Sequence, residues 1–130
     1  MNLASALSFA EPALQARLDG CRDAELDTLA FGVIGFDAQG LVRRYNRHES
    51  QAAGLSPERV LGHPLFTVVA PCMNNFMVAQ RFDDAAAEGS VLDLTLPYVL
   101  TLRMRPTKVQ LRLLSCAGAT CRYVLVQRSG

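Results

Sequence analysis

Three side chains have the types and spacing for joint chemistry: the thiol of Cys72, the phenol of Tyr45 and the carboxyl of Glu49. Cys72 stands in Val69-Ala70-Pro71-Cys72-Met73-Asn74-Asn75, where a proline-punctuated loop between an apolar run and an expected helix start can hold one side chain against a core. A thiol reacts as thiolate, and free cysteine has a pKa near ~8.5. A helix N-terminus directly after Cys72, capped by Asn74 or Asn75, would favour that charge. Tyr45 and Glu49 are four apart and can face one side. That spacing allows an attachment point with something bound between Cys72 and the other two groups, and it allows the plain readings equally. The plain alternatives are a buried inert thiol, a helix-capping Glu49 and a strand-end Tyr45.

An enzyme would use Cys72 as nucleophile, His48 or His63 as base and Glu49 to orient it. Those pieces fit any small domain with one cysteine and two histidines, and nothing marks an oxyanion hole, so no enzymatic activity is expected. The other cysteines, Cys21, Cys116 and Cys121, do not make a metal site, because even the 116/121 pair is spaced more widely than a zinc half-site. Cys116 and Cys121 flank an expected hairpin turn.

The elements that must position these residues follow from periodicity. Residues 1–28 form an expected N-terminal helical cap, with Leu14 and Leu18 four apart and Leu26 and Leu29 three apart, interrupted at Pro12 and Gly20. The interruptions predict a cap that is loosely held. The remainder, 29–130, is one core domain. Phe31 to Phe36, the turn Asp37-Ala38-Gln39-Gly40 and Leu41 to Tyr45 form a hairpin. Asn46 can cap a helix, with Glu49 at capping-box spacing, and Ser56-Pro57-Glu58 opens a short helix closed by Gly62.

The recurrence of Phe76, Ala79, Phe82 and Ala86 predicts a helix from Phe76 to Glu88, ended by Gly89. Strand alternation follows in Leu92 to Leu102, weakened at Pro97, in Val109 to Leu113 and in Tyr123 to Val126. Two strands, a run of helices and three strands describe an α+β domain: a five-stranded antiparallel sheet with helices packed on one face.

Bulk properties agree with one such domain. The chain has 130 residues, half of them apolar, and a formal net charge of +1. Its thirteen Lys and Arg are scattered, so no nucleic-acid partner is expected. No apolar run reaches ~18 residues and the start lacks a signal peptide's basic region, so no membrane partner is expected and a cytoplasmic protein with reduced thiols is.

The element order resembles the PAS sensor fold, and Ala53-Gly54-Leu55-Ser56-Pro57-Glu58 to Pro64 resembles that fold's link from the early hairpin to its ligand pocket. A closer resemblance, over Asp23 to Arg128, is to the photoactive yellow protein family. It is carried by Leu29-Ala30-Phe31-Gly32, by Tyr45-Asn46 with Glu49, by Val69-Ala70-Pro71-Cys72 and by Pro106-Thr107-Lys108-Val109. That resemblance implies a 4-hydroxycinnamoyl (p-coumaric acid) chromophore in thioester linkage to Cys72, its phenolic oxygen hydrogen-bonded by Tyr45 and a protonated Glu49. It also implies blue-light reception: trans/cis isomerisation, proton transfer from Glu49, loosening of the N-terminal cap and signalling to an unidentified downstream protein by a monomer or weak homodimer.

The energetics of such a site are demanding. A phenol with a pKa around ~10, held ionised at pH 7, requires about 4 kcal/mol. Two hydrogen bonds to a charged acceptor, at about 1.5–3 kcal/mol each, supply that. Ala53 and Leu55 stand where the family has a supporting threonine hydroxyl and a lidding arginine, which predicts a higher phenol pKa and some protonated dark state. His48 or Arg47 is the candidate replacement for the lost charge. Met104 resembles a pocket-lining methionine of the family. The alternative reading is a PAS module without chromophore that serves protein interaction.

Overall fold

The computed structural model describes residues 7–101 and 106–128. Its elements are α1 (Leu14–Asp19), α2 (Asp23–Leu26), β1 (Gly32–Phe36), β2 (Val42–Tyr45), α3 (Arg47–Ala53), α4 (Pro57–Val60), a π-helical turn (Leu65–Val69), a 3₁₀ turn (Pro71–Met73), α5 (Ala79–Glu88), β3 (Leu92–Leu100), β4 (Thr107–Ser115) and β5 (Arg122–Arg128). The five strands form one antiparallel sheet in the order β2-β1-β5-β4-β3. This is the expected α+β architecture.

Strand alternation sends side chains to two faces. On one face Ile34, Phe36, Leu111, Leu113, Val124 and Val126 pack beneath α3 to α5, with Val60, Leu65, Met73 and Phe82 above them. On the other, Val33, Leu114, Tyr123 and Leu125 pack against Phe9, Leu14, Leu18 and Leu26 of the N-terminal segment. β1 is buried along its whole length because both faces are covered.

The N-terminal segment is therefore a second core layer. Two arginines fasten it to the sheet. Arg44 of β2 donates to the carbonyls of Leu18 (2.8 Å) and Cys21, to the Tyr123 hydroxyl (3.0 Å) and to Asp23 (3.1 Å). Arg112 of β4 donates to the carbonyls of Phe9 (2.9 Å) and Glu11 (2.8 Å) while forming two bonds to Asp93, at 2.8 and 2.9 Å. Hydrogen bonds from a buried guanidinium to main-chain carbonyls are among the stronger kind.

Two element boundaries also differ from expectation. α5 begins at Ala79 rather than Phe76, because the Asn75 side chain accepts from the amides of Met77 (3.0 Å) and Val78 (3.2 Å) and bends residues 76–78 into a turn. Phe76 is 75% exposed, and the buried stripe is Val78, Phe82 and Ala85. β3 runs unbroken through Pro97, which an edge strand tolerates. Leu102 and Met104 lie outside the described residues.

Candidate functional site

Cys72 is in the 3₁₀ turn and half-buried at the margin of the core beneath α3 to α5. No helix N-terminus follows it directly, since α5 starts only at Ala79, and the expectation of dipole assistance there is corrected. A side-chain network takes that place. The Tyr98 hydroxyl donates to the Cys72 carbonyl at 2.6 Å, and Asn75 Nδ2 donates to the same carbonyl at 3.2 Å and to the Tyr98 oxygen at 2.6 Å. Asn75 thus serves both as the expected cap and as a brace for the cysteine backbone. Tyr98 went unnoticed in the sequence; its only signal there is an inward place in the β3 alternation.

The four cysteines are free, and their surroundings separate them. Cys21 and Cys121 are buried in the core beneath the N-terminal segment, and burial pushes both thiols up. Cys116 is in the β4–β5 turn. Cys72 packs against the cluster that contains Tyr45.

Tyr45 ends β2 and is buried; burial first, then the charge of Glu49, push its phenol well above the ordinary 10.0, while Arg128 pulls it back. It is a hydroxyl donor at neutral pH and carries no charge. Glu49 is in the first turn of α3, where Asn46 accepts from its amide at 3.1 Å. Asn46 also accepts from the Val33 amide (2.9 Å) and donates to the carbonyls of Leu26 and Phe31, each at 3.0 Å. One fully bonded amide side chain therefore joins α2, β1 and α3.

The Glu49 carboxylate does not fold back as in a capping box. It lies over Gly32, where a Cβ would stand 2.0 Å from Oε1. There Arg128 Nη1 donates to Oε1 at 2.9 Å and Nη2 to Oε2 at 3.1 Å. The cation beside the acid is thus Arg128 of β5. Arg47 is exposed, its amide bound to Asp27, and His48 Nδ1 is buried without a hydrogen-bond partner. With His63 at the surface, no thiol–imidazole pair is present among the described residues.

Ala53 is buried at the end of α3, and Leu55 packs against the same core, so this side of the site is apolar as the sequence implies. An open cleft of about 980 Å³ has Met77, Tyr98, Lys108, Val109 and Arg128 in its walls, and Cys72, Tyr45 and Glu49 do not line it. Among the described residues no group of three or more His, Cys, Asp or Glu is placed to hold a metal, and no helix is long and apolar enough to cross a membrane.

Comparison with known proteins agrees with this architecture. The family model described as PAS fold matches residues 26–127. The photoactive yellow protein of Rhodothalassium salexigens is 30% identical over 122 residues, covering 94% of this chain and 97% of the relative. That of Halochromatium salexigens is 32% identical over 120 residues, covering 92% and 95%. The crystal structure of the photoactive yellow protein domain from the sensor histidine kinase Ppr of Rhodospirillum centenum superposes with a TM-score of 0.79 at 37% identity, covering 88% of this chain and 99% of that one.

Proposed function

From the premise that this chain belongs to the PAS fold and, within it, to the photoactive yellow protein family, we propose that it is a blue-light photoreceptor domain carrying a p-coumaroyl group in thioester linkage to Cys72. The observation that carries this reading is that Cys72, alone among the four thiols, packs on the cluster containing Tyr45, whose neighbour in charge is Glu49. Apolar walls and a hydroxyl donor suit an aromatic acyl group with a polar far end. Bound there, that group would absorb light and change geometry about its double bond.

The chain's own residues do the rest. Cys72 Sγ would take the acyl group from a thioester donor, its S–H bond replaced by S–C while the donor's acyl–sulfur bond breaks and the released thiol carries the proton away, and Tyr98 and Asn75 hold the cysteine backbone against rotation. Tyr45 donates at the phenolic end, and Glu49 Oε1 and Oε2 are the atoms that hold or exchange a proton there. Any change of charge or position at Glu49 acts on α3, whose first turn Asn46 ties to α2 and β1. That is a direct route from pocket to N-terminal layer, and the signal is taken to pass from that layer to a downstream signalling protein.

The test is to mix the protein with a thioester of p-coumaric acid. The expected result is a visible absorption band and the matching mass increase on the peptide holding Cys72, both lost in Cys72→Ala. No adduct on Cys72 would leave the second reading, a chromophore-free PAS interaction module, which the apolar Ala53 and Leu55 favour.

A further inference from the structure

The hairpin that joins β4 to β5 carries two free thiols at its mouth. β4 ends at Ser115 and β5 begins at Arg122, so Cys116 and Cys121 are the residues immediately outside the paired strands, with Ala117-Gly118-Ala119-Thr120 between them. The register sets Leu114 opposite Tyr123. Continued two residues further on each strand, it sets Cys116 opposite Cys121, and strand alternation returns both to the face that Leu114 and Tyr123 take. Leu114, Tyr123 and Cys121 all belong to the core beneath the N-terminal segment. Gly118, at φ 80°, and the hydrogen bond from the Ala119 amide to the Cys116 carbonyl (3.3 Å) fold the connection into a tight turn. Opposed residues on antiparallel neighbours have Cα atoms about 4.5–5.5 Å apart, inside the range of about 4.4–6.8 Å that a disulfide spans. The other two cysteines stand apart: Cys72 packs on the opposite face, and Cys21, between α1 and α2, donates its S–H to the Arg17 carbonyl at 3.2 Å.

We propose that Cys116 and Cys121 form a thiol-modification site, a dithiol that low-molecular-weight disulfides such as oxidised glutathione convert to an intramolecular disulfide. The half-buried Cys116 reacts first, because solvent reaches it, while Cys121 is 9% exposed and burial pushes its thiol up. As thiolate, Cys116 attacks one sulfur of the external disulfide; a mixed disulfide forms, the external S–S bond breaks, and the leaving thiolate takes up the proton that Cys116 gave. Cys121 then attacks the Cys116 sulfur of that mixed disulfide. The Cys116–Cys121 bond forms, and the second external thiolate leaves with the proton of Cys121. Two protein thiols are thus oxidised and one external disulfide is reduced to two thiols. Gln15 Nε2 donates to the Cys121 carbonyl at 2.9 Å, so the site lies at a joint between the hairpin and α1. It uses none of Cys72, Tyr45 and Glu49, and it stands whether or not a pigment is carried.

The test is to incubate the reduced, folded full chain with oxidised glutathione, quench with acid, alkylate with iodoacetamide and digest with trypsin. Cleavage after Arg112 and Arg122 puts both cysteines in the one peptide 113–122. In the wild type that peptide is expected to become lighter by two hydrogen atoms and to lose both alkylation sites, and dithiothreitol should restore them. Cys121→Ser should stop with one glutathione on Cys116, and Cys116→Ser should leave Cys121 unmodified. A wild-type peptide that keeps both thiols, that stops at one glutathione, or whose Cys121 is joined instead to Cys21 or to a second chain overturns the proposal. Glutathione on Cys121 in folded Cys116→Ser overturns the order of attack. Should either variant fail to fold by circular dichroism, the wild-type peptide decides alone.

Discussion

At the scale of single residues, Gly32 and Tyr98 support the two ends of the site without themselves being reactive groups. Gly32 is required by the 2.0 Å approach of Glu49 Oε1 to where a Cβ would be. Gly32→Ala should push the carboxylate off Arg128 and destabilise the fold by about 1–3 kcal/mol, the usual penalty of overpacking, measured by urea unfolding. Tyr98→Phe removes the donor to the Cys72 carbonyl and leaves Asn75 Nδ2 with one partner fewer. A loss of about 1 kcal/mol is expected; an unchanged unfolding midpoint would mean that Tyr98 only fills space. Tyr45 has an alkaline signature. Its folded phenol is neutral beyond the ordinary 10.0, so its contribution to stability is complete below pH 10 and declines as the pH rises further. Tyr45→Phe should flatten that alkaline decline in melting temperature.

At the scale of elements, the joints are polar side chains bonded to main-chain carbonyls. Asn46 makes four hydrogen bonds across α2, β1 and α3. Asn46→Ala leaves several buried groups unsatisfied and should cost about 3 kcal/mol or more, with protease cleavage appearing first between α2 and β1. Arg112 joins β4 to the N-terminal segment and depends on Asp93 across the β3–β4 pair. The Arg112 hydrogen bond and charge hold the Asp93 carboxyl below its ordinary 3.8. The stability this adds is present above that value and disappears as the pH falls through the lower folded value. Asp93→Asn should therefore flatten the acid limb of a melting-temperature profile below pH 4, while a profile identical to wild type would deny the pair any role.

At the scale of the whole molecule, one sheet separates two cores, and the pocket reaches the opposite layer only through residues that bridge them. Val33-Ile34, Leu113-Leu114 and Tyr123 to Val126 are continuous apolar runs because both faces of their strands are covered. The dark spectrum of the loaded protein belongs to this scale, because the apolar side of the site at Ala53 and Leu55 and the Tyr45 donor are contributed by different elements. Some protonated, shorter-wavelength absorption near pH 7 is expected. A single phenolate band persisting into strong acid would contradict it.

Local chemistry made much of this legible. The hairpin turn at Asp37 and Gly40, the Asn46 cap, the strands and the Gly89 helix stop each depend on neighbours within a few residues, and the motif around Cys72 is contiguous. The late start of α5 was hidden because Asn75 chose a side-chain turn over the helix its neighbours allowed. The Arg128 partner of Glu49, the Tyr98 brace on Cys72 and the two arginines that fasten the N-terminal layer join residues far apart in the chain. Periodicity states which face a residue takes, and only the pairing of β5 between β1 and β4 decides which distant residue it meets there.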